Sequence, residues 1–376
     1  MPRPRGLKGS AMAKANKKTK VQEPSSSTEM PENAQTVVLD KVVEEGDEVG
    51  EAAALYESAI EKLEIDPNAA LALIRGTIHE SDRILRNLEE DATLPALFYC
   101  TYGSALYELG RLTDEEEFEP YLDAAEERLN QGLTTEDDVA NNVHNKIQLA
   151  LAKIWLAKAA SAVSEGEQAV PELSVRALET LDKAMTDVQV PSKTIIELAD
   201  IVQNHGDLYE SIESRDKFRN WAESALNSVL EKEPENASAL SGLGLCKLSL
   251  ANYYLDNLDD NDDDADEEDD DEEEEEKEVL NEKEQQAYQA ILDSKKYFEA
   301  AKQELVKIDK VSPQVLSDLA ETLLNEANLV LKEEDQVEIY KKAVENIKEA
   351  NTLIEEKKLD FILPEALTSF LEEFEA

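Results

Sequence analysis

The chain has 376 residues, with 86 acidic side chains against 38 Lys and Arg, a formal net charge of −48 and a pI near 4.3. That balance excludes a continuous nucleic-acid-binding surface, which needs clustered cations to meet phosphate, and disfavours an anionic membrane surface for the same reason. Hydrophobic residues make up 41% while Gly and Pro number only 12 each, below the roughly 7% and 5% of average usage, so the chain can bury a core and builds it from long helices with few breaks.

Residues 1–50 read as a disordered arm without apolar periodicity. Its start is basic, with Lys14, Lys17, Lys18 and Lys20 inside seven residues, a flexible lysine cluster of the kind an import receptor's acidic groove reads. It has no apolar segment and is not a secretory signal. From Glu51 the pattern turns helical. Leu55, Ala59, Ile60 and Leu63 recur at helical spacing up to Asp66-Pro67, and Leu71, Ile74, Ile78, Leu85 and Leu88 predict the core stripe of a second helix. A third helix runs from about Leu94 to Leu109 and a fourth from Asp114 to Leu129. A long one follows from Asp137 to Val163, whose apolar run is broken by Lys153 and Lys158, so no membrane span is expected. Pro171 and Pro191 sit where helices start, as first-turn prolines do. Helices are expected at about 171–187, 191–212, 214–232 and 236–256, with an insertion near Ser211–Asp216.

At Asp256–Glu278 the composition breaks into eighteen acids and one lysine. Such a run has little to bury and repels itself, so it reads as a disordered acidic tether. The remainder still carries about −31. Helices resume at about 278–309, 312–334, 335–357 and 363–374. The expected organisation is a disordered arm (1–50), a helical-repeat region (51–255), the tether (256–278) and a C-terminal helical region on the same solenoid (279–376).

Helix pairs of this length point to an all-α fold, a degenerate tetratricopeptide-like helical repeat or α-solenoid. Ala222, Leu226 and Val229 precede Pro234, and Leu240, Leu243 and Gly244 open the next helix, the small residues letting paired helices approach closely. Irregular spacing leaves plain antiparallel helices with ordinary caps as the alternative.

Sites of chemistry are scarce. Gly242-Leu-Gly244 lies in a helical pattern and reads as a packing site rather than a nucleotide loop. The acidic run lacks the glycine a calcium loop needs at its sixth position. Cys100 and Cys246 have apolar neighbours and read as buried and inert, and no nucleophile stands beside a base. No catalytic residue, metal or cofactor is expected, and the chain is not read as an enzyme. One helix runs against the acidic background: Arg75, His79, Asp82 and Arg86 fall at spacings of four, three and four, with Arg83 alongside, forming one face opposite the expected core stripe. These five are the candidate partner-binding residues; a salt-bridge ladder to neighbouring acidic helices is the competing reading.

The segment Gly76-Thr-Ile-His-Glu-Ser-Asp-Arg-Ile-Leu-Arg86 resembles G-x-[IV]-H-E-x-D-R-x-L-R of the enhancer of translation termination family. Gly76, Ile78, His79, Glu80, Asp82, Arg83, Leu85 and Arg86 match it. Also similar, in order, are the Lys17-Lys18 start, Leu122–Leu133, Leu149–Trp155, the acidic insertion and the close at Ser369-Phe370-Leu371. The resemblance implies a non-enzymatic, helical, nuclear protein linked to accurate translation termination. It also implies a negative regulator of a prolyl-hydroxylase-like Fe(II)/2-oxoglutarate dioxygenase, which acts on a basic small-subunit ribosomal protein and influences hypoxic gene expression. The expected partners are that dioxygenase, that ribosomal protein and an import receptor, without direct nucleic acid or membrane. An acidic histone-chaperone-like protein is the second reading, since it shares the acid tract and the import signal.

Overall fold

A computed structural model describes residues 43–375 other than 64, 91, 114–117, 136–141, 164–169, 188–189 and 259–278. The lysine cluster Lys14, Lys17, Lys18 and Lys20 and residues 259–278 of the expected acidic tether lie outside the described residues, while Asp256, expected to begin the tether, closes a helix. Thirteen α-helices and no strand occur among those described. In chain order they are α1 (Glu48–Lys62), α2 (Pro67–Asn87), α3 (Ala96–Arg111), α4 (Phe118–Leu133), α5 (Val143–Ala162), α6 (Glu172–Asp187), α7 (Ser192–Gly206), α8 (Ile212–Leu230), α9 (Ala237–Asp256), α10 (Glu282–Lys307), α11 (Pro313–Leu329), α12 (Glu333–Lys357) and α13 (Glu365–Glu375).

Local signals set most of the starts. Asp47 and Asp66 accept hydrogen bonds from Gly50 N–H (2.9 Å) and Ala69 N–H (3.0 Å), satisfying donors that the first turns of α1 and α2 leave free. Ser211, Asn236 and Ser312 do the same for α8, α9 and α11. Asn281 and Glu284 close a reciprocal capping box at α10. Pro67 and Pro313 occupy the first helical turn, whereas Pro191 is itself the N-cap of α7. The helix expected from Asp137 begins only at Val143. The expected insertion at Ser211–Asp216 is instead the capped start of α8. Before it, Arg215 donates to the Tyr209 and Asp207 carbonyls at 2.5 and 3.2 Å and holds the link from α7 in place.

Consecutive helices pack as pairs, α1 with α2 through α11 with α12, and α13 covers the end of the last pair. The first helix of each pair also touches the first helices of its neighbours, so α1, α3, α5, α7, α9 and α11 line up side by side. This is the packing of a helical repeat, in which each unit buries its apolar face against the next. The seams are close. In α9, a side chain at Gly244 would meet the Phe298 ring of α10 at 2.8 Å, and Ser294 donates to the Gly244 carbonyl at 3.0 Å. Gly242-Leu-Gly244 is thus a packing site, and Cys100 and Cys246 are buried.

On α2 the core stripe differs from the expected one. The buried residues are Ala70, Leu73, Ile74, Thr77, Ser81 and Ile84, while Leu71, Ile78 and Leu85 are only half-buried. Two hydroxyls can sit inside because each is satisfied within the helix: Thr77 donates to the Leu73 carbonyl (3.0 Å) and Ser81 to the Thr77 carbonyl (2.8 Å).

Candidate partner-binding surfaces

Turning the core stripe of α2 sorts its five candidate residues into two groups. Asp82 and Arg83 face the fold. The Asp82 carboxylate accepts from the Tyr102 hydroxyl of α3 at 2.5 Å. Burial, together with that carboxylate, pushes the Tyr102 phenol up to about 12. Arg83 forks onto Glu80 of its own helix and onto Glu48 of α1 at 2.9 Å, and these carboxylates raise its already high pKa. The salt-bridge reading therefore describes Arg83, which ties α2 to α1, while Asp82 ties α2 to α3 through the Tyr102 hydroxyl. Arg75, His79 and Arg86 are exposed. Arg86 donates only to the Asp82 carbonyl one turn back, at 3.2 Å. Arg75 and His79 make no hydrogen bond or ion pair among the described residues.

A second surface arises where the first helices of the pairs stand side by side. A groove of about 1410 Å³ runs along them from Tyr56 of α1 to Asp318 of α11. Its wall mixes apolar and charged groups. Ile196, Ile201 and the partly exposed Leu245 supply the apolar part. Arg111 pairs with the buried Glu108 at 2.8 Å, and Lys153 with Glu197. Lys146 and Lys310 reach into the same groove, exposed. At its far end Asp318 is 7% exposed and accepts from Gln314 at 2.6 Å. Burial pushes its carboxyl up to about 7, with the Glu321 charge adding to the rise and the Gln314 bond opposing it. Gln203 also lines the wall; its amide donates to Asp207 and Ser249 at 3.1 Å, and its carbonyl oxygen is buried without a hydrogen bond.

The sequence reading missed this groove. A signal was present in α5, where Lys146 and Lys153 stand seven residues apart. That spacing puts both on one face, but only the neighbouring helices make the face a wall.

Elsewhere, Ser174, His205 and Tyr209 form a closed set of hydrogen bonds of 2.8 to 3.2 Å, each at most 4% exposed. Burial pushes the His205 imidazole down to about 4, so it is neutral at pH 7, with Phe218 stacked on Tyr209 beneath it. The set joins α6 to the end of α7 and faces no groove. Among the described residues no group of three or more His, Cys, Asp or Glu side chains is placed to hold a metal ion. No described helix is long and apolar enough to cross a membrane.

Comparison with known proteins adds a family. The model of the family described as nuclear pore complex subunit Nro1 matches residues 2–237. The chain is 36% identical over 180 residues to the negative regulator of ofd1 of Schizosaccharomyces pombe, covering 42% of this chain and 44% of that protein. It is 31% identical over 158 residues to enhancer of translation termination 1 of Candida albicans strain SC5314, covering 41% of this chain and 36% of that protein. These matched stretches thus span less than half of either relative. The solved structure of the S. pombe nuclear import adaptor Nro1 superposes with a TM-score of 0.53 at 24% identity, over 91% of this chain and 100% of that one; this likeness concerns the fold.

Proposed function

Because the chain belongs to the Nro1 family, we propose that it is a non-enzymatic nuclear adaptor that holds partner proteins along its helical repeat. The observation that carries this reading is the groove of about 1410 Å³ lined by the first helices of successive pairs, in a family that includes an import adaptor and a regulator of ofd1. In this reading its targets are a prolyl-hydroxylase-like Fe(II)/2-oxoglutarate dioxygenase and a basic small-subunit ribosomal protein, and Lys14, Lys17, Lys18 and Lys20 present the complex to an import receptor. Accurate translation termination and hypoxic gene expression then depend on how much of each target is held. Relatives named for translation termination and for ofd1 support joining the two roles.

Charge gives the reading physical content. A body of about −31 next to the acidic run attracts a basic ribosomal protein, and the attraction falls as salt shortens the screening length. A dioxygenase seated by apolar contacts in the groove is retained. Pull-down from nuclear extract at 0.05 and 0.3 M salt tests this (conditions spanning screening lengths of roughly 14 to 6 Å). The expected result is both proteins at low salt and the dioxygenase alone at high salt. Recovery of neither would sink the adaptor reading, and recovery of histones alone would return the chain to the histone-chaperone reading.

A further inference from the structure

Eight arginines fall among the described residues, and the fold holds six of them. Arg83, Arg111 and Arg219 pair with carboxylates. Arg128 and Arg176 lie over the rings of Tyr102 and Trp155, and Arg215 holds loop carbonyls. The exceptions are Arg75, without a partner among the described residues, and Arg86, whose one bond is to the Asp82 carbonyl of its own helix, and both stand on the same face of α2. Eleven residues is close to three helical turns, so the two guanidinium groups project in nearly the same direction from backbone positions about 16 Å apart. His79 lies between them. Of the acids on this stretch of α2, Glu80 is paired with Arg83, and Asp82, directed to α3, accepts from the neutral Tyr102 hydroxyl. Over residues 75–86 three arginines stand against two acids, so this stretch of α2 is net positive by one charge on an anionic protein, and at physiological salt charges more than about 8 Å away are largely screened.

The backbone here is also unusually bare. Ala72 is exposed, and a methyl group added at Gly76 would meet no atom within 4 Å. Glycine in a helix interior is unfavourable relative to alanine, and no neighbour within the fold requires it. Small side chains on either side of Arg75 leave room for another chain to approach the helix closely.

We propose that the outer face of α2 docks an acidic helical segment of a partner protein, whose carboxylates, three turns apart, meet Arg75 and Arg86. The proposal rests on the adaptor reading and assigns one of its partner surfaces. It makes Arg75, His79 and Arg86 contact residues. Asp82 and Arg83 are positioning residues that fix the helix against α3 and α1.

The test places the photo-crosslinker p-benzoylphenylalanine in the full chain, at Ala72 for this face and, separately, at Ser241 for the groove, followed by irradiation in nuclear extract. The expected product from position 72 is a protein peptide with net negative charge around the crosslink. Its yield should fall about ten-fold in an Arg75→Ala/Arg86→Ala background, while the Ser241 product is unchanged. Neutral or basic peptides, captured RNA, or a yield indifferent to the two arginines would overturn the proposal. Capture at Ser241 with none at Ala72 would overturn it and leave the adaptor reading standing; capture at neither position would count against both.

Discussion

The groove and the outer face of α2 both carry cations on an acidic protein, but they use them differently. In the groove, Arg111 and Lys153 are matched by Glu108 and Glu197, and Glu108 is buried, so removing its partner would leave a buried acid without its ion pair. These cations belong to the architecture. On α2 the fold takes Arg83 for the same purpose and leaves Arg75 and Arg86 unclaimed. A positive residue in an acidic protein is therefore no sign of a binding site by itself; the two arginines differ from Arg83, Arg111 and Lys153 in that no carboxylate is spent on them.

Three substitutions sharpen that contrast. The largest effect is expected at the groove end. The folded Asp318 carboxyl titrates near 7, above the unfolded value of about 3.9. The native state therefore holds a proton that the unfolded chain has lost, and stability falls as pH rises from about 4 to about 7. Asp318→Asn keeps the acceptor for Gln314 and removes the titration. It should gain on the order of 3 kcal/mol over the parent at pH 8, with the gain vanishing at pH 4, as read from denaturant unfolding at the two pH values. Equal stabilities at pH 8 would show that the groove end is wetter than its geometry implies.

The next two change one residue type at a packed seam and on the open face of α2. Gly244→Val drives a side chain into the Phe298 ring and should cost about 2 kcal/mol by overpacking. Gly76→Ala meets open space and should instead gain roughly 0.5–1 kcal/mol, while reducing crosslinking through Ala72. Thermal melts of both variants check the opposite signs. A destabilised Gly76→Ala would mean that the fold itself needs that glycine, which would remove the argument for close approach from outside.

Much of the fold was legible in the sequence. Asp66-Pro67, Asn236 and Ser312-Pro313 mark helix starts because their caps involve residues only three apart, and such local chemistry survives any tertiary arrangement. The helical repeat followed from apolar spacing and few breakers. The candidate site was half legible: the five residues share a helix, but their division into structural and free groups was not visible. Leu85 was expected in the core stripe and is only half-buried, while Ser81, outside that stripe, is buried, because serine can satisfy its hydroxyl on its own helix.

The sequence by itself determined an acidic, all-helical repeat, where most of its helices begin, and the one segment where cations gather. Only the tertiary structure decided which of those cations are free. The partners that settle the matter come from other helices, Glu48 from 35 residues away and Tyr102 from 20, and an ion pair exists only where packing brings its two ends within a few ångströms.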